Sequence, residues 1–93
     1  MDIRPAVVRA CKEMVSAEDS DDYESAEIVG SPAEYWLGNR RVSAATVNAM
    51  LHLCLLHSEQ LGTKYEIHTL NEDGRGVAKD PQNYVPRILR PNA

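Results

Sequence analysis

Residues 43–57 constrain this chain more than any other stretch: Ser43 stands where a helix cap would, and Val47, Met50, Leu51, Cys54 and Leu55 follow on one apolar stripe. A Ser at that place accepts a bond from a first-turn amide that would otherwise be unpaired. Steps of three and four then put the stripe on one side of a helix. The spacing therefore predicts a central helix over 43–57, with Ala45, Asn48, Ala49 and His52 forming a small, neutral opposite side. Leu53-Cys54-Leu55-Leu56 is apolar all round, which implies either deep burial or a change from helix to strand near Cys54.

Other segments carry their own signals. Pro5 suits a first helical turn, and Ile3, Val7, Ala10, Cys11 and Met14 recur at helical spacing, so a helix is predicted over 5–16 with Arg4, Arg9, Lys12 and Glu13 on its wet side. Residues 17–30 read as an acidic connection, in which 23–29 could add a helical turn or two ending at Gly30. Ser31-Pro32-Ala33-Glu34 has the form of a capping box with Pro at the first helical position. A short helix bearing Tyr35, Trp36 and Leu37 is expected from it, closed by Gly38-Asn39, with Trp36 in the core.

Residues 64–70 have strand composition, Tyr65, Ile67 and Thr69 on one face and Lys64, Glu66, His68 and Leu70 on the other. Turn sequences flank them, so 64–70 can pair with 55–59 or with 75–78 within a hairpin region spanning 55–78. Pro81, Pro86 and Pro91 make 79–93 an extended strap laid on the domain, or a short tail open to a partner. The expected architecture is one domain over 1–93, mainly α with a small antiparallel β-hairpin, an α+β chain with a three-helix core.

Charge is distributed unevenly. Seven acids and no Lys or Arg lie between Glu18 and Glu34, whereas residues 35–93 carry seven basic and five acidic groups within an overall net charge of −4. The longest uncharged apolar run, 42–56, is too short to cross a bilayer, and the N-terminus lacks the pattern of a signal peptide. A cytoplasmic chain without membrane contact is the expectation.

The sequence offers little for catalysis. Gly-x-Ser-x-Gly, a P-loop, a dinucleotide-binding glycine pattern and HExxH are all absent, so no enzyme and no cofactor is expected. Cys11, Cys54, His52, His57 and His68 show no metal-ligand spacing, and Cys11 and Cys54 are expected as unpaired thiols. A calcium loop from Asp19 fails because Glu24 occupies the required Gly position and Gly30 the closing Glu. Gly74-Arg75-Gly76 reads as a turn carrying a basic side chain.

A capped short helix, a turn, a second capped helix and a hairpin follow one another, and over residues 31–78 the chain resembles a winged helix-turn-helix domain. Arg41-Val42-Ser43-Ala44-Ala45-Thr46-Val47-Asn48-Ala49-Met50-Leu51-His52-Leu53-Cys54-Leu55-Leu56 is similar to the recognition helix and its exit into the wing, with Cys54 where that family usually has Gly. Residues 65–74 are similar to a wing strand and turn. The resemblance implies a DNA-binding transcription regulator whose second helix enters the major groove of duplex DNA from Ser43 onward. Ala44, Ala45, Asn48 and His52 would then face bases, and Asn48 could pair bidentately with adenine. Arg40 and Arg41 would meet phosphate or guanine, and Lys64 and Arg75 would be wing contacts to the backbone.

A second expectation belongs to another class. The acids Glu18, Asp19, Asp21, Asp22, Glu24 and Glu27 could dock on a basic protein partner, making the chain a protein-interaction module or small inhibitor. Leu53, Leu56, Leu61, Ile88 and Leu89 exceed what one short hairpin covers, so a homodimer stands beside a monomer as an expected state.

Overall fold

The computed structural model describes residues 3–91. Pro5 opens α1 (Pro5–Asp19), at a position where its missing N–H leaves no bond unmade. Val7, Ala10, Cys11 and Met14 are buried along it, the stripe that the spacing predicts. The helix takes up the first residues of the expected connection and stops where Asp21 adopts a φ of 57° and the Asp22 amide returns to the Ala17 carbonyl at 2.8 Å. No helix forms over 23–29; residues 23–26 make a single turn, closed by the Ala26 amide on the Tyr23 carbonyl at 3.2 Å, and the chain then enters a strand.

Three short strands replace the helix expected from Ser31: β1 (Ile28–Ser31), β2 (Glu34–Leu37) and β3 (Arg40–Val42). Ser31 and Glu34 are not the ends of a capping box but cross-strand partners around a Pro32-Ala33 turn. Proline fixes φ equally well for the first turn position and for the first helical position, so Ser-Pro fits both. The residues that follow decide between them. Tyr35 and Leu37 are buried and Trp36 is less so, a period of two that belongs to a strand. Trp36 consequently sits half-buried on the face turned away from the core where it was expected. Gly38-Asn39 closes no helix; it is a two-residue hairpin loop between Leu37 and Arg40, with Gly38 at φ 62° in its first position. Glycine adopts that conformation with no Cβ penalty.

β3 runs directly into α2 (Ala44–His52), whose inner side buries Thr46, Val47 and Met50. This helix ends well before residue 57. Cys54 takes a left-handed φ of 55°, and the Leu55 amide bonds to the Met50 carbonyl at 3.0 Å. Of the two readings of 53–56, the change from helix to strand is the one that occurs.

β4 (Leu56–Leu61) and β5 (Tyr65–Leu70) then form the first of the two candidate hairpins, with Leu56 opposite Leu70 and Leu61 opposite Tyr65. β1 pairs with β5 as well as with β2, which gives a five-stranded antiparallel sheet in the order β3-β2-β1-β5-β4. Ile28, Tyr35, Leu37, Val42 and Leu70 project from one face into the core shared with the helices. Over the described residues the protein is therefore an α+β fold of three α-helices and a five-stranded sheet rather than a mainly helical chain with one hairpin.

A polar network runs along the core face of the sheet. The Tyr35 hydroxyl donates to Glu66 Oε1 at 3.0 Å, His68 Nε2 lies 2.9 Å from the same oxygen, and His68 Nδ1 lies 2.6 Å from Ser58 Oγ. Both nitrogens of a histidine only 2% exposed are thereby satisfied within the fold.

The sequence after β5 makes neither a turn nor a strand. It is α3 (Glu72–Lys79), capped by Asn71, whose Oδ1 accepts the Gly74 amide at 2.9 Å and whose Nδ2 donates to the Cys54 carbonyl at 2.7 Å. Gly74 and Gly76 give this helix clearance on two sides. A Cβ on Gly74 would lie 2.5 Å from the Leu55 carbonyl oxygen, and one on Gly76 would enter the Tyr84 ring.

The C-terminal segment passes through a turn at 81–83 and a 3-10 turn at Arg87–Leu89, with 84–86 between them, and is described as far as Pro91. Asp73 anchors it: the carboxylate accepts from the Tyr84 hydroxyl at 2.7 Å and from the Arg87 amide at 3.1 Å. Burial alone would raise the Asp73 carboxyl. The two hydrogen bonds and the charges of Arg87 and Arg90 outweigh burial and hold it below its ordinary value of 3.8.

Two expected outcomes follow from these contacts. The Asp73 contribution is full above pH 3.8 and is lost as pH falls through the lower folded value. Asp73→Asn should therefore lose less stability than the parent on acidification below about pH 4, and equal acid slopes in urea unfolding would rule this anchor out. Cys54→Gly should raise stability by about 0.5–1 kcal/mol, because it removes a Cβ from a left-handed position on an exposed residue. Denaturant midpoints measure it, and an unchanged or lower midpoint would contradict it.

Candidate nucleic-acid interface

The outer side of α2 depends on a local cap. Ser43 Oγ accepts the Thr46 amide at 3.1 Å and lies 2.9 Å from the Thr46 hydroxyl, so Ser43 is committed to starting the helix. With Val47 and Met50 buried beneath, Ala45, Asn48 and His52 are left exposed on the outer side. Their small size leaves the backbone approachable, and Asn48 offers both a donor and an acceptor.

Two shallow grooves run between α1 and α2. One, of about 410 Å³, is lined by Ile3, Arg4 and Val7 of the α1 end and by Asn48, Ala49, His52 and Leu53. The other, of about 440 Å³, is lined by Pro5, Ala6, Arg9, Arg40, Val42, Ser43 and Thr46. Neither lining contains an acid. Glu13 lies close by and is shared by two guanidinium groups: Arg9 Nε at 2.8 Å from one oxygen, Arg40 Nη2 at 2.9 Å from the other. One carboxylate against two arginines, with exposed Arg4 alongside, leaves this face with a positive excess.

The remaining expected contacts scatter. Arg75 belongs to α3, where it donates to Glu18 at 2.7 Å, and so is not part of a wing. Arg41 stands opposite Trp36 on the face of the sheet turned away from the helices. Lys64 is in the exposed turn between β4 and β5, where Leu61, Gly62, Thr63 and Tyr65 are exposed too. The structure thus sets Arg40 and Ser43 on one groove and Asn48 and His52 on the next, with Ala45 exposed on the same helix, keeps Lys64 in the β4–β5 turn, and separates Arg41 and Arg75 from them.

Arg4 and Arg9 were not among the expected contacts. Their signal was present in the sequence as the wet side of the first helix, but its meaning depends on where α2 packs. The acidic segment is partly used by the fold itself. Glu18 holds Arg75, Asp21 accepts from the Tyr23 hydroxyl at 3.2 Å, and Asp22 accepts from the Ser25 amide at 3.3 Å. Asp19, Glu24 and Glu27 make no ion pair among the described residues.

The two thiols differ in their surroundings. Cys11 is buried, which pushes its thiol up to about 12, while Cys54 is exposed at the bend after α2. No helix among the described residues is long and apolar enough to cross a membrane. In comparisons with known proteins the chain matches no family model, no curated protein and no solved structure.

Ser43→Ala should destabilise the protein by about 1 kcal/mol, the usual loss of an N-cap. Thermal unfolding reads this, and a change within error would mean that the contacts around α2 hold its first turn without the cap.

Proposed function

We propose that the chain binds duplex DNA through the face formed by α1 and α2, as a small regulator of winged-helix type. The observation that supports this reading is the pairing of α2's uncovered side, Ala45, Asn48 and His52, with two acid-free grooves lined by Arg4, Arg9 and Arg40. In this reading α2 enters the major groove and Asn48 and His52 face base edges. Arg4 and Arg9, both on the α1 side, meet phosphates along one flank of the helix, Arg9 beside its start and Arg4 beside its end, and Lys64 on the hairpin adds a further backbone contact. Arg41 and Arg75 have no part in it.

The reading differs from the sequence expectation in one respect that matters for mechanism. A first helix before the reading helix is replaced by the β2–β3 hairpin, so α1 supplies the second wall of the interface. Glu13 then limits affinity, because it neutralises part of the cationic face that phosphate contacts require.

Titrating a fluorescent mixed-sequence duplex with the protein at several salt concentrations tests the proposal. Binding should weaken steeply with salt, and the Arg4→Ala, Arg9→Ala double variant should reduce the log–log slope by about two. Glu13→Gln should tighten binding, while Asn48→Ala should change sequence preference with little effect on the slope. Absence of binding at low salt, or a slope unaltered in the double variant, would eliminate this reading. Should the Asp19, Glu24 and Glu27 triple substitution to Ser instead abolish capture of a protein partner, the acidic docking reading would replace it.

A further inference from the structure

The face of the sheet turned away from the helices carries a row of side chains with opposite charges at its two ends. By the strand registers, Arg41, Trp36, Val29, Ile67 and Glu59 stand side by side on β3, β2, β1, β5 and β4. Trp36, Val29 and Ile67 are half-buried on this face, where the Trp36 indole N–H donates to Glu34 at 2.6 Å, and further along it Leu61 and Tyr65 are 51% and 45% exposed. Arg41 makes no ion pair among the described residues, and Glu59 has only a 3.6 Å approach to the exposed His57. The row is therefore apolar in the middle, cationic at one edge and anionic at the other, with Val29 on the central strand.

We propose that this face packs against the same face of a second copy of the chain. The charge order selects the symmetry. A two-fold axis lying between the sheets, parallel to the strands and passing over Val29, reverses strand order and keeps position along the strands. Arg41 of each copy then lies over Glu59 of the other, Trp36 lies over Ile67, and Val29 meets Val29. An axis along the row would instead set Arg41 on Arg41 and Glu59 on Glu59, which like-charge repulsion disfavours.

The geometry is compatible with ordinary sheet packing. Stacked sheets lie about 10 Å apart with strands rotated by about 30°. Five strands spaced at about 4.8 Å put the row's ends about 10 Å from its centre, so that rotation displaces them by about 5 Å. An Arg and a Glu side chain span that offset. The face is five short strands wide, so the dimer is expected to form and dissociate with concentration. Both copies keep the outer side of α2 free, and the inference does not depend on what α2 binds.

Sedimentation velocity on the full chain over a concentration series tests the arrangement. The parent protein should pass from monomer to dimer. Arg41→Glu and Glu59→Arg each place like charges at both edges and should weaken association about tenfold or more. Mixed in equal amounts, the two variants should recover a dimer, because each edge again joins opposite charges. Circular dichroism of each variant confirms that the fold is retained. A parent protein monomeric throughout, single reversals that leave association unchanged, or a mixture that stays monomeric would each overturn the proposal.

Discussion

The pairing of β1 along both of its edges is the constraint on which the rest of this structure depends. Ile28, Val29 and Gly30 face Leu37, Trp36 and Tyr35 on one side and His68, Ile67 and Glu66 on the other. A two-stranded hairpin by itself is marginal in water. Joined through β1, two hairpins become a sheet wide enough to bury one face beneath α1. The Tyr35–Glu66–His68–Ser58 network crosses the same junction, linking β2 to β5 and β5 to β4. These bonds satisfy polar groups that the helices exclude from water, and they match only one register, since a slip of one residue would turn His68 outward.

Charge along α1 runs against the helix's own dipole. Arg4 and Arg9 lie toward its N-terminal end and Glu18 and Asp19 at its C-terminal end, with no acid in the first turn and no base in the last. Helix stability alone would favour the opposite order. Burial of Val7, Ala10, Cys11 and Met14 sustains the helix regardless. The result is a molecule with cations gathered beside α2 and anions gathered around the α1–β1 connection.

How much of this could be read from the sequence depended on how local each signal was. α1 and α2 were legible because a cap or Pro and a helical stripe agree within a few residues, as at Pro5 with Val7 to Met14 and at Ser43 with Val47 and Met50. Residues 64–70 were legible as a strand with its correct partner among two. The segment from Ser31 misled because Ser-Pro-x-Glu suits a helix start and a tight turn alike, and the tie was broken by the β1–β5 pairing, which joins residues far apart in sequence. Gly38-Asn39 was an available hairpin signal that the supposed helix masked. Of the site, the uncovered side of α2 was legible. The separation of Arg41 and Arg75 from it and the gain of Arg4 and Arg9 were not, because each turns on which element packs beside which.

α3 was missed for the same kind of reason, and it has a consequence of its own. Two glycines in eight residues weaken a helix by about 1 kcal/mol each relative to alanine, and here the same glycines are what permit contact with Leu55 and Tyr84. Helicity and docking are therefore a single event: residues 72–79 have little reason to coil until the bend after α2 and the strap are both in place. Detaching the strap at Asp73 would release helical hydrogen bonds along with tertiary contacts, so that the last quarter of the chain opens as one cooperative unit rather than fraying from its end.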